Sequence, residues 1–521
     1  MSALWKLVRL PGAVLLCAAL ASCTATVTGT GNTAGLRTPP SGASPTLRPQ
    51  QIAFGSCSQI FDPSALTIPQ PRASHLTFGC ARLGVPLDYG NEAGPRINLE
   101  LVKVHDDRNR TGNALMVNPG GPGGSGFDLA LGLAGQLADR VLASFDIIGF
   151  DPRGVGLSNP VSCVSDQRKD QLNAADPNVL TPAGFAEAKS LAAAVANGCS
   201  AAYGASLADF NTVQTAMDMD RIRQSLGGQQ LNYLGFSYGT ELGSVYAHLF
   251  PHNVRVEVLD GAVDPLTADI AAFANQLAGF ESAFDQFAQD CVGRPACAVL
   301  GNPRQVVYSL VSQADQTPLS TSNPADHRRA TGSLVLTGVL SALYSKSQWG
   351  SLGDALIAAR QGDAKAILAL ADEYNQRNPD GTYSNIYDAN TAIACNDSKP
   401  GPTDATIRAT ALAWVKSYPM FGRWSAASLF SCQDWQSKRT PVPLPTAPTP
   451  QKVLVIGNLH DPATPYQGAK DLANTMGNAL LLTWDGEGHT SYLQGNTCVD
   501  NYVNNYLISG SLPPVNTTCP R

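Results

Sequence analysis

What the chain lacks narrows the possibilities before any motif is read. Of 521 residues, Lys and Arg number 35 and Asp and Glu 41, a net charge of −6. There is no basic surplus, so nucleic acid is excluded as a partner, and no block of like charge forms an interaction tail. None of the 12 cysteines sits in a C-x-x-C pair, which argues against zinc and dithiol redox chemistry; no metal and no cofactor is called for. The marked apolar stretch near the start, Val14 to Leu20, is far below the ~20 residues that span a bilayer. Histidine is scarce, with seven residues, so the choice of a general base is narrow. No internal repeat stands out. The apolar share, 44%, is nonetheless ample for a buried core, and the length calls for two closely packed units or one domain with a large insertion.

The N-terminus reads as an export signal. Lys6 and Arg9 precede the apolar Val14–Leu20 stretch, and Leu20-Ala21-Ser22-Cys23 follows. That string resembles a bacterial lipobox, which implies removal of residues 1–22 and lipidation of Cys23. The expected location is the outer face of the bacterial cell membrane, with shedding to the wall or medium as the alternative fate. Residues 23–50 are rich in Thr, Gly, Pro and Ser; they cannot bury enough apolar surface to fold, and form a tether. Ten further cysteines follow, an even number, as disulfides in an exported chain require. Pairing of sequence neighbours is expected: 57–80, 163–199, 291–297, 395–432 and 498–519.

The most informative segment is Gly235-Phe236-Ser237-Tyr238-Gly239, placed after the apolar run Leu231–Leu234 and before an amphipathic run. This is the G-x-S-x-G pattern in a strand–turn–helix context, the sharp turn that exposes a serine hydroxyl. After it, Leu242, Val245, Tyr246 and Leu249 recur at helical spacing until Pro251. Other short β-like runs are 97–104, 114–118, 145–150, 254–259, 452–456 and 479–484. They alternate with helical patterns, among them 212–226, which predicts an α/β fold with a mainly parallel central sheet. From Pro265 to about Pro445 the strands stop and helical patterns dominate, with Phe280, Phe284 and Phe287 on one face. The expected organisation is an α/β core in two parts, 51–264 and 446–521, interrupted by a large, mostly helical cap, 265–445.

A serine hydroxyl needs a base, itself oriented by a carboxylate. In the hydrolase order the acid follows the serine and the histidine comes last, which leaves His460 and His489. His489 lies in the glycine-flanked loop Gly486-Glu487-Gly488-His489-Thr490 after a strand, and is assigned as the base for Ser237. Asp461, in the loop after 452–456, is assigned to orient it; Asp485 and Glu487 are the fallback acids. The oxyanion donors expected are the N–H of Tyr238 and that of Gly121, in Asn118-Pro119-Gly120-Gly121-Pro122-Gly123-Gly124-Ser125-Gly126. Gly121, Gly123 and Gly126 also spell G-x-G-x-x-G with Asp151 ending the next strand, a dinucleotide pattern. Its strand is not the first of the domain, and an exported protein meets little nucleotide. Arg153 is read as a structural ion pair beneath the site.

Taken together, these blocks resemble the secreted tripeptidyl aminopeptidases of the α/β-hydrolase fold, relatives of proline iminopeptidase. The matching strings are 118–126, 151–158, Gly235 to Thr240, Leu259-Asp260-Gly261-Ala262-Val263-Asp264-Pro265, His460-Asp461-Pro462-Ala463-Thr464-Pro465 and Gly488-His489-Thr490. The resemblance implies serine-dependent removal of short peptides, typically tripeptides, from free N-termini, with Ser237, Asp461 and His489 as the triad. Proline iminopeptidases carry His where this chain has Pro119, which separates the branches. Recognition of a substrate ammonium needs a carboxylate at the mouth of the site, and Glu281, Asp285, Asp290 and Asp397 are the candidates. Two other functions use the same features: a carboxylesterase or lipase with the same triad, and a non-catalytic envelope lipoprotein that captures peptides.

Overall fold

The apolar runs become strands of one nine-stranded sheet in the computed structural model, which describes residues 51–267, 269–446 and 448–521. The expected signal sequence, tether and lipidated Cys23 lie outside the described residues. In chain order the strands are β1 (Leu76–Pro86), β2 (Arg96–Asp106), β3 (Ala114–Asn118), β4 (Asp146–Phe150), β5 (Leu231–Phe236), β6 (Val254–Asp260), β7 (Val453–His460), β8 (Ala479–Glu487) and β9 (Thr518–Cys519). In space they run β1-β2-β4-β3-β5-β6-β7-β8-β9. β2 is antiparallel to β1 and β4, and every other neighbouring pair is parallel. All seven expected strands are present, with ends moved by a few residues. β1 and β9 are additional. Gly79, Arg82 and Gly84 break the apolar rhythm of β1, and β9 has two residues; both sit at sheet edges, where pairing with a neighbour makes the strand.

The central β5 is buried at all six positions, as a parallel strand covered on both faces must be. Its side chains alternate between two cores. Tyr233 joins Met116, Leu259 and Val455 under the helices Thr212–Ser225 and Tyr238–Leu249. Leu234 joins Val117, Val258 and Leu454 under Gly126–Gln136 and Thr497–Ser509. Helices dominate between β6 and β7, and bury their own core of Phe280, Phe284, Phe287, Val335, Leu352 and Ile367. Packing crosses the ends of this interval. Phe185 and Ala188, from the helix Pro182–Tyr203, join the helical core, whereas Ala389 and Ile393, from Ile386–Asp397, pack on the sheet side. Among the described residues no helix is long and apolar enough to cross a membrane.

The five neighbouring cysteine pairs are all bridged, Cys57–Cys80, Cys163–Cys199, Cys291–Cys297, Cys395–Cys432 and Cys498–Cys519. Arg153 is the structural ion pair expected. Its guanidinium donates to Asp218 at 2.8 and 2.7 Å, and to the carbonyls of Leu87, Asp209 and Pro86; both side chains are fully buried. A buried charge stripped of its partner is costly. Arg153→Met is therefore expected to lower stability by ~3–5 kcal/mol in denaturant unfolding, and adding Asp218→Leu to restore most of it.

Candidate active site

The turn after β5 is built by steric exclusion. A Cβ on Gly235 would overlap the Gly239 carbonyl, and one on Gly239 would lie 2.8 Å from the Asn118 carbonyl. The backbone can fold back this tightly only where both ends lack side chains. Ser237, at the apex, takes φ 55° and ψ −128°, a region that L-residues rarely occupy and that costs ~1–3 kcal/mol. Its N–H donates to the Asp260 carbonyl at 2.9 Å. Its carbonyl accepts from the Thr240 N–H at 2.8 Å and from Thr240 Oγ1 at 2.6 Å. Tyr233 Oη donates to the Gly239 carbonyl at 2.8 Å. Ser237 is partly exposed while the residues on both sides are buried.

The 118–126 loop lies against this turn. Asn118 Oδ1 accepts the Gly120 N–H at 2.9 Å. A Cβ on Gly120 would lie 3.0 Å from the Ser237 Cβ and 2.8 Å from the Tyr238 nitrogen. Tyr238 opens the helix Tyr238–Leu249, where amides have no acceptor within the helix. The G-x-G-x-x-G glycines serve packing: Gly126 meets the Phe150 carbonyl and Gly123 meets Ile386 and Ala389. Asp151, the residue that pattern would give to a ribose, is engaged by Ser125 Oγ and by the amides of Phe127 and Leu157.

Asp461 and His489 meet as the sequence order requires. The His489 Nδ1 lies 2.9 and 3.0 Å from the two Asp461 oxygens, and both side chains are fully buried. Asp461 also accepts the amides of Ala463, Thr464 and Thr490 at 2.9, 2.8 and 3.0 Å, and Thr464 Oγ1 at 3.0 Å. Burial pushes this carboxyl up, but attraction to His489 and the hydrogen bonds outweigh it and hold it below the usual carboxylate range. The other imidazole nitrogen, Nε2, is buried with no hydrogen-bond partner among the described residues. The ring faces the end of β6: a Cβ on Gly261 would lie 3.3 Å from His489 Cε1. Since Asp260 binds the Ser237 amide, serine and histidine converge on one turn.

The histidine loop is held from two sides. Asn458 Nδ2 donates to the Gly488 carbonyl at 2.6 Å, and its Oδ1 accepts from the amides of His460 and Gly486. From the helical layer, the Tyr344 carbonyl accepts the His489 N–H at 2.8 Å, and its ring stands 5.5 Å from the imidazole, edge to face. Thr464, Asn458 and Tyr344 went unread in the sequence, because nothing in local spacing marks a residue whose partner is up to 145 positions away. The fallback acids are engaged elsewhere: Asp485 with Arg521 and His460, and Glu487 with Arg521.

Of the four carboxylates considered for the substrate amine, three are already paired with arginine. Glu281 and Asp285 pair with Arg304, and Asp290 with Arg294. Asp397 is different. It accepts from the Thr212 amide at 3.0 Å and from Thr212 Oγ1 at 2.6 Å, and that hydroxyl also meets the Tyr238 hydroxyl. Burial pushes Asp397 up to about 7 against those bonds. Glu241, one turn along the elbow helix, rises to about 8 through burial and the charges of Asp397 and Asp269. Both residues, taken whole, are partly exposed.

A serine on a strained strand-to-helix turn, beside a buried Asp–His pair at the end of a parallel sheet, defines an α/β hydrolase, and residues 113–391 match the family model described as alpha/beta hydrolase fold. Residues 418–519 match the model described as TAP-like protein, and the chain belongs to this tripeptidyl-aminopeptidase-like family. It is 39% identical over 455 residues to the serine protease Hip1 of Mycobacterium tuberculosis, covering 84% of this chain and 87% of that one. It is 38% identical to Carboxylesterase B of the same species, with 91% of each chain covered. The tripeptidyl aminopeptidase of Streptomyces lividans is 32% identical, over 84% of this chain and 83% of that protein.

Gly120→Ala tests how tightly the loop and the serine turn are fitted, since Gly120 also has φ +87°. It is expected to cost ~2 kcal/mol or more in denaturant unfolding. Gly55→Ala, whose Cβ meets nothing within 4 Å, is expected to cost under ~1 kcal/mol.

Proposed function

We propose that the protein is an exported serine exopeptidase that releases short peptides, tripeptides foremost, from the free N-termini of peptides and proteins. Ser237 attacks the scissile carbonyl and His489 Nε2 takes its proton. The imidazolium then gives that proton to the leaving amine, and water hydrolyses the acyl-enzyme by the same route. Asp461 fixes the imidazole through Nδ1 and stabilises its charged form. The N–H groups of Tyr238 and Gly121 receive the oxyanion, each worth ~3–4 kcal/mol in the transition state. The observation that carries this reading is the buried Asp461–His489 pair, with His489 Nε2 unpartnered among the described residues, beside the strained Ser237 turn. Relatives named serine protease and tripeptidyl aminopeptidase support the peptide substrate.

The helical interval 265–445 acts as the cap over a core formed by 51–264 and 446–521, and a lipid on Cys23 holds the enzyme at the outer membrane face. Asp397 and Glu241 read the substrate ammonium. Two carboxyls with no cation beside them among the described residues resist ionising together, and an arriving ammonium relieves both. A second reading, a carboxylesterase, is favoured by the 38% identity to a protein of that name, because a triad and oxyanion hole serve esters equally well.

The deciding experiment offers free and N-acetylated tripeptide amide reporters beside a short acyl ester, with Ser237→Ala as control. Cleavage of the free-amine peptide alone, falling ~10⁴-fold or more in the control, is the expected result; ester turnover without peptide cleavage would move the function to the esterase. Asp397→Asn and Glu241→Gln are each expected to raise KM for the free-amine reporter ~10-fold or more and leave ester turnover unchanged. In the wild type, KM for that reporter is expected to fall as pH rises through about 7, where Asp397 ionises, until the substrate amine loses its proton near pH ~8.

A further inference from the structure

β6 ends in Asp260, whose side chain has no part in the chemistry proposed above. It is fully buried and pairs with no lysine or arginine among the described residues. Its carboxylate accepts the Ser491 amide at 3.1 and 3.0 Å and the Tyr492 amide at 2.8 Å. Its main-chain carbonyl accepts the Ser237 amide at 2.9 Å. One residue thus grips the nucleophile turn through its backbone and the histidine loop through its side chain. The preceding amide of that loop, Thr490, goes to Asp461 at 3.0 Å. Three consecutive N–H groups after His489 are therefore divided between two buried carboxylates, one attached to each side of the site.

We infer that Asp260 is a positioning residue, whose ionised carboxylate holds the His489 loop in register with the Ser237 turn. The inference rests on the reading of Ser237 and His489 as nucleophile and base. An anion binds an amide about twice as strongly as a neutral acceptor does, so the grip depends on the charge. The charged or titratable groups around it are few. Asp461 acts on it from the loop after β7, and the His489 ring lies against the adjacent Gly261; Ser491 and Tyr492 face its carboxylate, the latter with its hydroxyl spent on Asn504, and Ser237 meets its main-chain carbonyl. Burial foremost pushes Asp260 up to about 7, and the Asp461 charge adds to it against the hydrogen bonds from Ser491 and Tyr492. A raised carboxyl ionises late: as pH falls through about 7 the carboxylate takes a proton and the loop loosens. The acid side of the activity profile then carries the proton on Asp260 in addition to the one that any general base must be without.

The test measures kcat and KM between about pH 5 and pH 9 for wild type and Asp260→Asn, on the free-amine peptide reporter and on the acyl ester, with Ser237→Ala alongside. The wild-type acid limb of log kcat is expected to approach a slope of two. In Asp260→Asn the slope is expected to become one and kcat on the alkaline plateau to fall ~10- to 100-fold. KM should change little. A wild-type slope of one, or a variant with wild-type kcat and profile, overturns the inference. The wild-type slope decides even where the variant does not fold. Turnover that survives in Ser237→Ala overturns the underlying reading, and this inference with it.

Discussion

The positive-φ turn at Ser237 is the constraint on which the rest of the structure depends. A serine at φ 55° relaxes unless every way out is closed. The central β5 supplies the rigid approach, Asp260 binds the amide, Thr240 binds the carbonyl twice, and Tyr233 ties down Gly239. The Gly120 loop closes the last side, where even a methyl group would collide with the Tyr238 nitrogen. The strain is small beside the packing of a nine-stranded sheet, so the fold tolerates it, and the hydroxyl is left at the surface of a buried turn.

The same edge of the sheet uses one device three times. Asp151 follows β4, Asp260 ends β6 and Asp461 follows β7. Each is buried and each accepts main-chain amides from a neighbouring loop: Phe127 and Leu157, Ser491 and Tyr492, then Ala463, Thr464 and Thr490. Hydrogen bonds to a charged acceptor contribute more than neutral ones, ~1.5–3 kcal/mol each, and they leave the loops little freedom. Only Asp461 also has a histidine as partner, and it alone of the three is held below the usual carboxylate range; burial raises Asp151 and Asp260 to about 7.

The helical layer reaches into the site. Ser345 pairs with Gly488 as an isolated bridge, and the Tyr344 carbonyl takes the amide of His489 itself. The His489 loop is therefore clamped between the sheet, through Asn458 and Asp260, and the helical layer, through Tyr344.

Local pattern and chain order carried much of this by themselves. Apolar runs near Gly and Pro marked the seven inner strands, the G-x-S-x-G glycines marked the serine turn, and histidine scarcity with the Ser–Asp–His order singled out His489 and Asp461. Neighbour pairing anticipated the disulfides, because each closes a short loop. Everything settled by a distant partner was decided by the tertiary structure alone. β1 exists because β2 lies beside it, despite its glycines and Arg82. Among the four acids considered for the amine, Arg304 and Arg294 pair with three and leave Asp397, a distinction invisible where all four read as surface charges. Asp260 looked like the end of a strand until folding brought the amides of Ser491 and Tyr492 to its carboxylate, 231 and 232 residues away. Spacing along a chain reports which face a side chain takes, but hydrogen-bond partners are fixed by packing, and that is settled only when the sheet closes.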